Sequence, residues 1–378
     1  MKKIVVAPDS FKGSLTSAEV ADAVERGIKD VFPQCNVVKA GVADGGEGTV
    51  EAIVKAVGGD MYVASVADPL GRPVKAAYGI VRSGGVKTAV MEMSAASGLP
   101  LLLPDELNPW ITSTYGTGEM ISDALNRGCR KFLVGIGGSA TNDAGTGMLS
   151  ALGVRFLDSR GQRLKGCGRD LESIARIDMS SLMPAARESE FIVACDVNTP
   201  FCGPDGAARV FAPQKGADAD MVKELDVAMQ HLSDVIFHTT GKDVSLHPGA
   251  GAAGGMGGSL HAFLDAQLKP GIELFLETLD FTEKIKDADL LITGEGKSDR
   301  QTLMGKVPSG ILQEARRQHI PVILLAGAIE DAGILNAAGF RGVFSITPSP
   351  VSLEQAMQPE FAQENIRRTV EQICRIFF

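Results

Sequence analysis

The chain has 378 residues, of which 44% are hydrophobic, and its 37 basic and 46 acidic residues give a formal net charge of −9. A chain of this length exceeds what one hydrophobic core usually organises, so we expect two domains. The negative charge argues against nucleic acid as a partner, because proteins that bind the phosphate backbone need an excess of Lys and Arg.

The N-terminal end predicts two successive β-α units. A short β-branched run at residues 4–7 is typical of a buried strand. A helix should follow, because Thr16 or Ser17 can cap it and apolar residues then recur at helical spacing. A second strand is predicted over residues 37–42, with another helix from Thr49 onward. This alternation predicts the beginning of a doubly wound parallel sheet.

The rest of the chain continues the α/β pattern. Further strands are predicted over residues 86–93, 132–136, 191–194, 290–292, 322–325 and 343–346, with helices over residues 117–127 and 360–377. We therefore predict one doubly wound domain built from both chain ends, residues 1–85 and 286–378. A second α/β domain, residues 86–285, should be inserted into it, with a cleft between the two domains.

Acidic residues recur where the predicted strands end. They are Asp9, Asp44, Asp196 and Glu295, with Lys12 and Lys215 in neighbouring turns. Ligands of open α/β sheets bind outside the carboxyl ends of the strands. Phosphoryl transfer requires carboxylates for Mg²⁺, cations for phosphate and flexible glycines, so the pattern favours a phosphorylated or carboxylated ligand. The alternative for each acidic residue is a helix cap or a turn former.

A glycine-rich segment follows the strand predicted over residues 132–136. Gly137, Gly138, Ser139 and Thr141 would let backbone amides and hydroxyl groups approach an anion. The alternative is an ordinary turn between a strand and a helix. We favour the anion site, because glycine, serine and threonine are so densely packed in this segment.

Two further glycine motifs do not meet their structural requirements. Residues 296–298 read Gly-Lys-Ser, but the leading glycine of a P-loop would fall at Leu291, inside a predicted strand. Residues 249–254 match GxGxxG, but no clear strand precedes them and no acidic residue stands where a ribose partner should be. A nicotinamide-dependent hydroxy-acid dehydrogenase that uses this motif, and a non-catalytic sensor of a small acid, remain the alternatives from other functional classes.

Several long blocks of the sequence are similar to those of one known family, the type I glycerate kinases. The blocks are APDSFKGSL at residues 7–15, VADGGEGT at 42–49, EMSAASGL at 92–99, STYGTGE at 113–119, GGSATND at 137–143, FAPQKGA at 211–217 and TGEGKSD at 293–299. They occur in the family's order and span nearly the whole chain. Two positions depart from the family pattern: Ala144, where glycine is usual, and Lys297, where arginine is frequent.

The resemblance implies a Rossmann-like domain with an inserted α/β domain, and ATP-dependent phosphorylation of D-glycerate to 2-phosphoglycerate. ATP and Mg²⁺ are the implied cofactors, and D-glycerate is the implied small-molecule partner. Phosphorylation of the 3-hydroxyl remains an alternative, and homo-oligomerisation stays open. We expect a cytoplasmic protein without membrane contact, since the sequence has no signal-peptide core, no apolar stretch of about 20 residues and no CxxC pair.

Individual roles are hypotheses that join the resemblance to the strand-end pattern. The residues expected to act in catalysis are Asp196, Lys12 and Lys215. Those expected to bind the substrate are Asp9, Ser10, Asp44 and Glu47. Those expected to bind nucleotide or phosphate are Gly137, Gly138, Ser139, Thr141, Glu295 and Asp299. Asp44 and Glu295 are also the candidate Mg²⁺ ligands, and the alternative for Asp299 is to cap a helix that begins near Leu303.

Overall fold

The structure is a computed structural model that describes residues 2–40, 49–83 and 85–377. The chain forms two compact units. Met1–Asp44 and Ile272–Phe378 make up the first, here called the terminal unit, and Gly45–Gly271 makes up the second, the inserted unit. Each unit has its own sheet and its own hydrophobic core.

The secondary structure alternates between strands and helices along most of the chain. The strands are β1 (Lys3–Val6), β2 (Asn36–Lys39), β3 (Gly59–Ala67), β4 (Pro73–Ser83), β5 (Val86–Glu92), β6 (Lys131–Gly135), β7 (Arg155–Leu157), β8 (Arg176–Asp178), β9 (Glu190–Ala194), β10 (Gln267–Lys269), β11 (Leu290–Ser298), β12 (Val322–Ile329) and β13 (Gly342–Ser345). The α-helices are α1 (Ser17–Val31), α2 (Thr49–Val57), α3 (Ser94–Ser97), α4 (Tyr115–Asn126), α5 (Thr146–Ala151), α6 (Pro184–Arg187), α7 (Ala207–Phe211), α8 (Ala219–Thr240), α9 (Met256–Leu264), α10 (Gly271–Thr278), α11 (Phe281–Ile285), α12 (Val307–Arg317), α13 (Ala332–Ala338), α14 (Leu353–Ala356) and α15 (Pro359–Phe377). Within the described ranges, no helix combines the length and apolar character needed to span a bilayer.

The terminal unit contains a five-stranded parallel sheet in the order β13-β12-β11-β1-β2. Ile4 of β1 is paired with Leu290 of β11, and Leu291 of β11 is paired with Val322 of β12. The inner strands β1, β11 and β12 each contain a buried apolar run, at residues 4–6, 290–292 and 322–326, which is typical of a parallel sheet buried on both faces. The strands predicted near both chain ends are therefore confirmed as members of one sheet.

Helix α1 is fixed by its N-terminal cap and by its contact with α15. Thr16 Oγ1 accepts a hydrogen bond from Glu19 N at 3.3 Å, and Glu19 Oε2 accepts one from Thr16 N at 2.8 Å, which is a capping box. Gly27 allows α15 to approach closely, because a β-carbon at this position would lie 2.4 Å from the carbonyl oxygen of Arg367. The N-terminal and C-terminal segments of the chain are thus joined by direct helix packing as well as by the sheet.

The inserted unit contains a six-stranded mixed sheet in the order β10-β9-β6-β5-β4-β3. Strands β10, β9, β6 and β5 run parallel, whereas β5, β4 and β3 are joined in antiparallel pairs. Phe132 of β6 and Phe191 of β9 are paired in register, and their buried rings stack with centroids 4.6 Å apart. The prediction of an α/β protein is confirmed, and the antiparallel edge is an addition to it.

The boundaries between the units differ from the predicted residues 85 and 286. Strands β3 and β4 precede residue 85, but they hydrogen-bond into the sheet of the inserted unit, so the first boundary falls near residue 44. Helices α10 and α11 precede residue 286 but belong to the terminal unit. Ile272 packs there against α12 so closely that a β-carbon on Gly310 would lie 2.4 Å from its side chain.

Candidate functional site

A cavity of about 440 Å³ lies at the carboxyl ends of the strands in the terminal unit. Four of the residues predicted for function line it, namely Asp9, Ser10, Lys12 and Glu295. Lys306, which the sequence did not single out, also lines it. The strand-end rule therefore located a real cavity in this unit.

A tight turn after β1 positions the first three of these side chains. Asp9 N donates a hydrogen bond to the carbonyl oxygen of Gly294 on β11 at 2.8 Å, which keeps the turn on the sheet. Ser10 N donates to Asp9 Oδ1 at 2.7 Å, so the buried Asp9 carboxylate also stabilises its own turn. Gly13 has a φ of +78°, a conformation that glycine adopts without strain, and it turns the chain back toward α1.

Glu295 lies on β11 and is held by several polar partners. Ser298 Oγ donates a hydrogen bond to Glu295 Oε1 at 3.1 Å, and Thr302 Oγ1 donates to the same oxygen. The other oxygen, Oε2, lies 3.6 Å from Lys306 Nζ. The Glu295 side chain is only 7% exposed, so this carboxylate is a buried charge that the protein itself satisfies.

Asp299 is not among the residues that line this cavity. Its carboxylate accepts a hydrogen bond from Gln301 N at 2.8 Å, and its own N–H donates to Thr302 Oγ1 at 3.0 Å. Asp299 thereby caps the 3₁₀ turn Arg300–Leu303, whereas the alternative for this residue placed the start of the capped helix near Leu303. The same turn carries the Thr302 hydroxyl that contacts Glu295.

A second, smaller cavity of about 210 Å³ lies within the inserted unit. Five predicted residues line it: Gly137, Gly138, Ser139, Asp196 and Lys215. The glycines follow β6 and Asp196 follows β9, so the loops at the ends of two neighbouring parallel strands form its walls. The carbonyl oxygen of Thr141, the remaining residue predicted in this loop, accepts a hydrogen bond from Lys215.

Lys215 is buried in this cavity with its ammonium group turned into the glycine-rich loop. Its Nζ donates to Ser139 Oγ at 2.7 Å and to the carbonyl oxygen of Thr141 at 2.6 Å, and the residue is 1% exposed. Burial lowers the pKa of Lys215 to about 7, although the negative charge of Asp143 acts in the opposite direction. Because this pKa is close to neutral, the fraction of Lys215 that carries a charge depends strongly on any anion that binds beside it.

Asp143 organises the loop, and the sequence did not assign it a role. It is fully buried, and its carboxylate accepts hydrogen bonds from Thr114 N at 2.7 Å, Thr114 Oγ1 at 2.8 Å, Gly145 N at 3.1 Å and Gly147 N at 3.2 Å. Burial raises the pKa of Asp143, and these hydrogen bonds partly offset the rise. The signal in the sequence was that this is the one acidic residue of the glycine-rich segment.

The departure at Ala144 has a structural counterpart. Its φ is +50°, which a residue with a β-carbon rarely adopts, and its N–H donates to the carbonyl oxygen of Gly254 at 3.0 Å. Gly254 itself has a φ of +65°, and a β-carbon there would lie 2.2 Å from the carbonyl oxygen of Thr141. The glycine-rich run 249–258 therefore packs against the backbone of the loop at residues 141–144.

Asp196 is exposed at the end of β9, and its Oδ1 accepts a hydrogen bond from Gly271 N at 2.8 Å. Asp44 and Glu47, both predicted to bind the substrate, lie outside the described residues. The predicted residues that the structure describes thus fall into two groups, one in each unit.

Magnesium has no matching ligand group in the part of the chain that the structure describes. No three acidic, histidine or cysteine side chains gather there in a way that could hold a metal ion. Glu295, one of the two candidate ligands, already uses both oxygens in contacts with Ser298, Thr302 and Lys306. Asp44, the other candidate ligand, lies outside the described residues.

The chain is similar to known proteins along nearly its whole length. The model of the glycerate kinase family matches residues 4–378. The chain is 48% identical over 373 residues to "Glycerate kinase" of Bacillus subtilis (strain 168) and 46% identical over 373 residues to "Glycerate 2-kinase" of Escherichia coli (strain K12), in each case covering 98% of this chain and 97% of the relative. A crystal structure described as glycerate kinase 2 from Salmonella typhimurium LT2 superposes with a TM-score of 0.88 at 44% identity, covering 99% of this chain and 97% of that one.

The α/β architecture and these matches define an enzyme of the phosphotransferase class. The chain belongs to the glycerate kinase family. The resemblance drawn from the sequence blocks is thereby confirmed.

Proposed function

We propose that this protein transfers the γ-phosphoryl group of ATP to the 2-hydroxyl of D-glycerate, releasing ADP and 2-phosphoglycerate. The observation that carries the proposal is the 46% identity to a protein named glycerate 2-kinase over nearly the full length of both chains. The two cavities support it, because each combines a lysine with a carboxylate or a glycine-rich loop.

The reaction needs positive charge and orientation more than covalent chemistry from the protein. The glycerate hydroxyl oxygen forms the new bond to the γ-phosphorus, the bond from that phosphorus to the β,γ-bridging oxygen breaks, and the hydroxyl proton leaves to a base. We assign Asp196 to orient this hydroxyl and accept its proton. We assign Lys12 and Lys215 to the negative charge of the substrates, with the carboxylate of glycerate near Ser10 and Lys12.

The glycine-rich loop is proposed to contact phosphate through Gly137, Gly138, Ser139 and Thr141. Lys215 supports this role, because its Nζ lies 2.7 Å from Ser139 Oγ. Its pKa of about 7 means that the neutral amine can take up a proton near neutral pH. An arriving phosphate would favour the protonated ammonium group and raise that pKa. Asp9, Asp44 and Glu47 remain proposed substrate contacts, and Asp299 a proposed nucleotide contact.

Magnesium remains part of the proposal through Asp44 together with the phosphates of the nucleotide. Mg²⁺ in kinases is commonly held by one or two carboxylates, phosphate oxygens and water. We attribute no step of the reaction to the metal.

The nicotinamide-dependent alternative is not favoured. Its motif at residues 249–254 is occupied by protein packing: a β-carbon at Gly251 would lie 2.1 Å from the carbonyl oxygen of Pro200, and one at Gly254 would lie 2.2 Å from that of Thr141. These glycines bring two protein segments together, which leaves them no role in approaching a pyrophosphate. Glycerate 3-kinase activity is tested by the identity of the product.

The decisive experiment incubates the protein with ATP, MgCl₂ and D-glycerate and identifies the product by ³¹P and ¹³C NMR. We expect 2-phosphoglycerate from the wild type. Lys12→Ala should lower kcat/KM by orders of magnitude and Asp196→Asn should lower kcat, both with unchanged thermal unfolding. Formation of 3-phosphoglycerate would refute the regiochemistry, no product would refute the function, and full activity in either variant would remove that residue from the mechanism.

A further inference from the structure

We propose that Lys306 binds an oxyanion of a substrate in the cavity of the terminal unit, and that Glu295 is the positioning residue that holds its ammonium group. The inference rests on the proposed function, in which both substrates carry oxyanions: the phosphates of ATP and the carboxylate of glycerate. It gives Glu295 a role different from the nucleotide and metal contacts expected from the sequence.

The two side chains differ in exposure in the way this role requires. Lys306 is 39% exposed and lines the same cavity as Lys12, whereas Glu295 is 7% exposed. Their charged groups lie 3.6 Å apart. The buried carboxylate thus attracts the ammonium group from one side, while the other side of the lysine faces the cavity.

Glu295 is itself fixed before any ligand arrives. Ser298 and Thr302 both donate hydrogen bonds to its Oε1, and the capped turn Arg300–Leu303 positions Thr302. A free lysine side chain loses rotamer entropy when it is immobilised. A lysine already drawn toward a rigid partner loses less on binding, so its interaction with a ligand is stronger.

The chemistry of the cavity selects an anionic ligand. Three lysines line it, namely Lys12, Lys297 and Lys306, in a chain whose formal net charge is −9. Two carboxylates, Asp9 and Glu295, line it as well, so positive charge is in excess. Glu295 also lines the cavity, but its carboxylate contacts the hydroxyl groups of Ser298 and Thr302 and the ammonium group of Lys306, so part of its negative charge is already offset. Carboxylate and phosphate oxygens are both suitable partners for such an ammonium group, so the shared chemistry is an oxyanion.

The test compares four single variants, and the double variant that combines Glu295→Gln with Lys306→Ala, with the wild type. Lys306→Ala removes the cation, Lys306→Arg keeps it, and Glu295→Gln keeps a hydrogen-bond acceptor for Ser298 and Thr302 but removes the charge. The control is Lys286→Ala, because Lys286 also lies 3.6 Å from a glutamate, Glu283, with both side chains more than half exposed. Dissociation constants for ADP and for D-glycerate are measured separately by calorimetry, together with KM, kcat and thermal unfolding.

We expect Lys306→Ala to raise the dissociation constant of one ligand at least tenfold, Lys306→Arg to raise it only a few-fold, and Lys286→Ala to leave it unchanged. Loss of ADP affinity identifies a phosphate as the oxyanion, and loss of glycerate affinity identifies the carboxylate. Glu295→Gln should weaken the same ligand in wild-type background but have no further effect on binding in Lys306→Ala, which a merely structural role would not produce.

Unchanged affinity for both ligands in a folded Lys306→Ala protein would overturn the inference, and so would an equal effect of Glu295→Gln with and without Lys306. These outcomes are separate from the proposed function, which fails if the wild type forms no phosphoglycerate. If Glu295→Gln does not fold, the comparison of Lys306→Ala with Lys306→Arg still decides the role of the lysine.

Discussion

The buried ammonium group of Lys215 should make the inserted unit more stable at high pH than at neutral pH. Burial lowers the pKa of Lys215 in the folded protein to about 7, whereas the unfolded chain has the ordinary value of 10.5. Between these two values the unfolded state binds more protons, so the free energy of unfolding rises with pH through this window. Below pH 7 the lysine is charged in both states and the destabilisation is fully present.

The size of the effect follows from the two pKa values. Linkage gives a gain of about 3 kcal/mol in the free energy of unfolding of the wild type between pH 6 and pH 9. By the same relation, burying the charge at pH 6 costs about 5 kcal/mol. Lys215→Met removes this cost but loses two hydrogen bonds, worth about 1 kcal/mol each.

We therefore expect Lys215→Met to be more stable than the wild type by about 3 kcal/mol at pH 6 and nearly equal to it at pH 9. Urea unfolding is followed by the fluorescence of Trp110, because it is the one tryptophan of the chain and belongs to the same unit as Lys215. Lys286→Met, a change at an exposed lysine, should show the wild-type pH dependence. A stability difference between Lys215→Met and the wild type that does not change with pH would refute the reasoning.

Two more predictions concern the support of the same loop. Asp143→Asn should destabilise the protein by about 3 kcal/mol or more, because the amide group cannot accept all four hydrogen bonds. It should also lower the pKa of Lys215 further, since the charge of Asp143 raises that pKa. Urea unfolding measures the first effect and the pH profile of ligand affinity the second, and an unchanged profile would contradict the second. Gly254→Ala should cost well over 2 kcal/mol, because its β-carbon would meet the carbonyl oxygen of Thr141 at 2.2 Å. Gly241→Ala is the matched control, because Gly241 has a similar φ of +76° but an added β-carbon would have no atom within 4 Å. Backbone strain alone should therefore cost about 1 kcal/mol at this site. Equal losses of stability at the two sites would show that the close contact at Gly254 is unimportant.

Apolar runs revealed the parallel strands but not how the strands are shared between the units. The first five residues of β12 and the first three residues of β11 are buried and continuously apolar, so they are easily predicted. Strand β3 lies at the edge of its sheet and most of its residues are exposed or half-buried, so its signal is weak. Its unit is decided by two successive hairpins, β3–β4 and β4–β5, which join it to β5. The boundary predicted at residue 85 falls in the second hairpin and therefore divides one sheet between two domains.

The strand-end rule located some residues that line the two cavities and missed others. It identified Asp9, Glu295 and Asp196, because each directly follows or continues a strand that the sequence makes plain. It could not identify Asp143, which lies inside a glycine-rich loop, since its importance comes from complete burial. Lys306 was missed because it follows no predicted strand. It immediately precedes helix α12, and only the folded structure shows that it lies beside Glu295 in the cavity.

The division of the terminal unit between both chain ends has a consequence during synthesis on the ribosome. Strand β1 lies between β2, which is translated soon after it, and β11, where Ile4 is paired with Leu290. One edge of β1 must therefore wait for the far end of the chain. At about 5–20 residues per second this delay is roughly 15–60 s. The inserted unit is one continuous segment, Gly45–Gly271, and is complete before β11 emerges. The nascent chain therefore has time to fold its middle first, while the edge of β1 that belongs to β11 remains unpaired and is a natural target for chaperones.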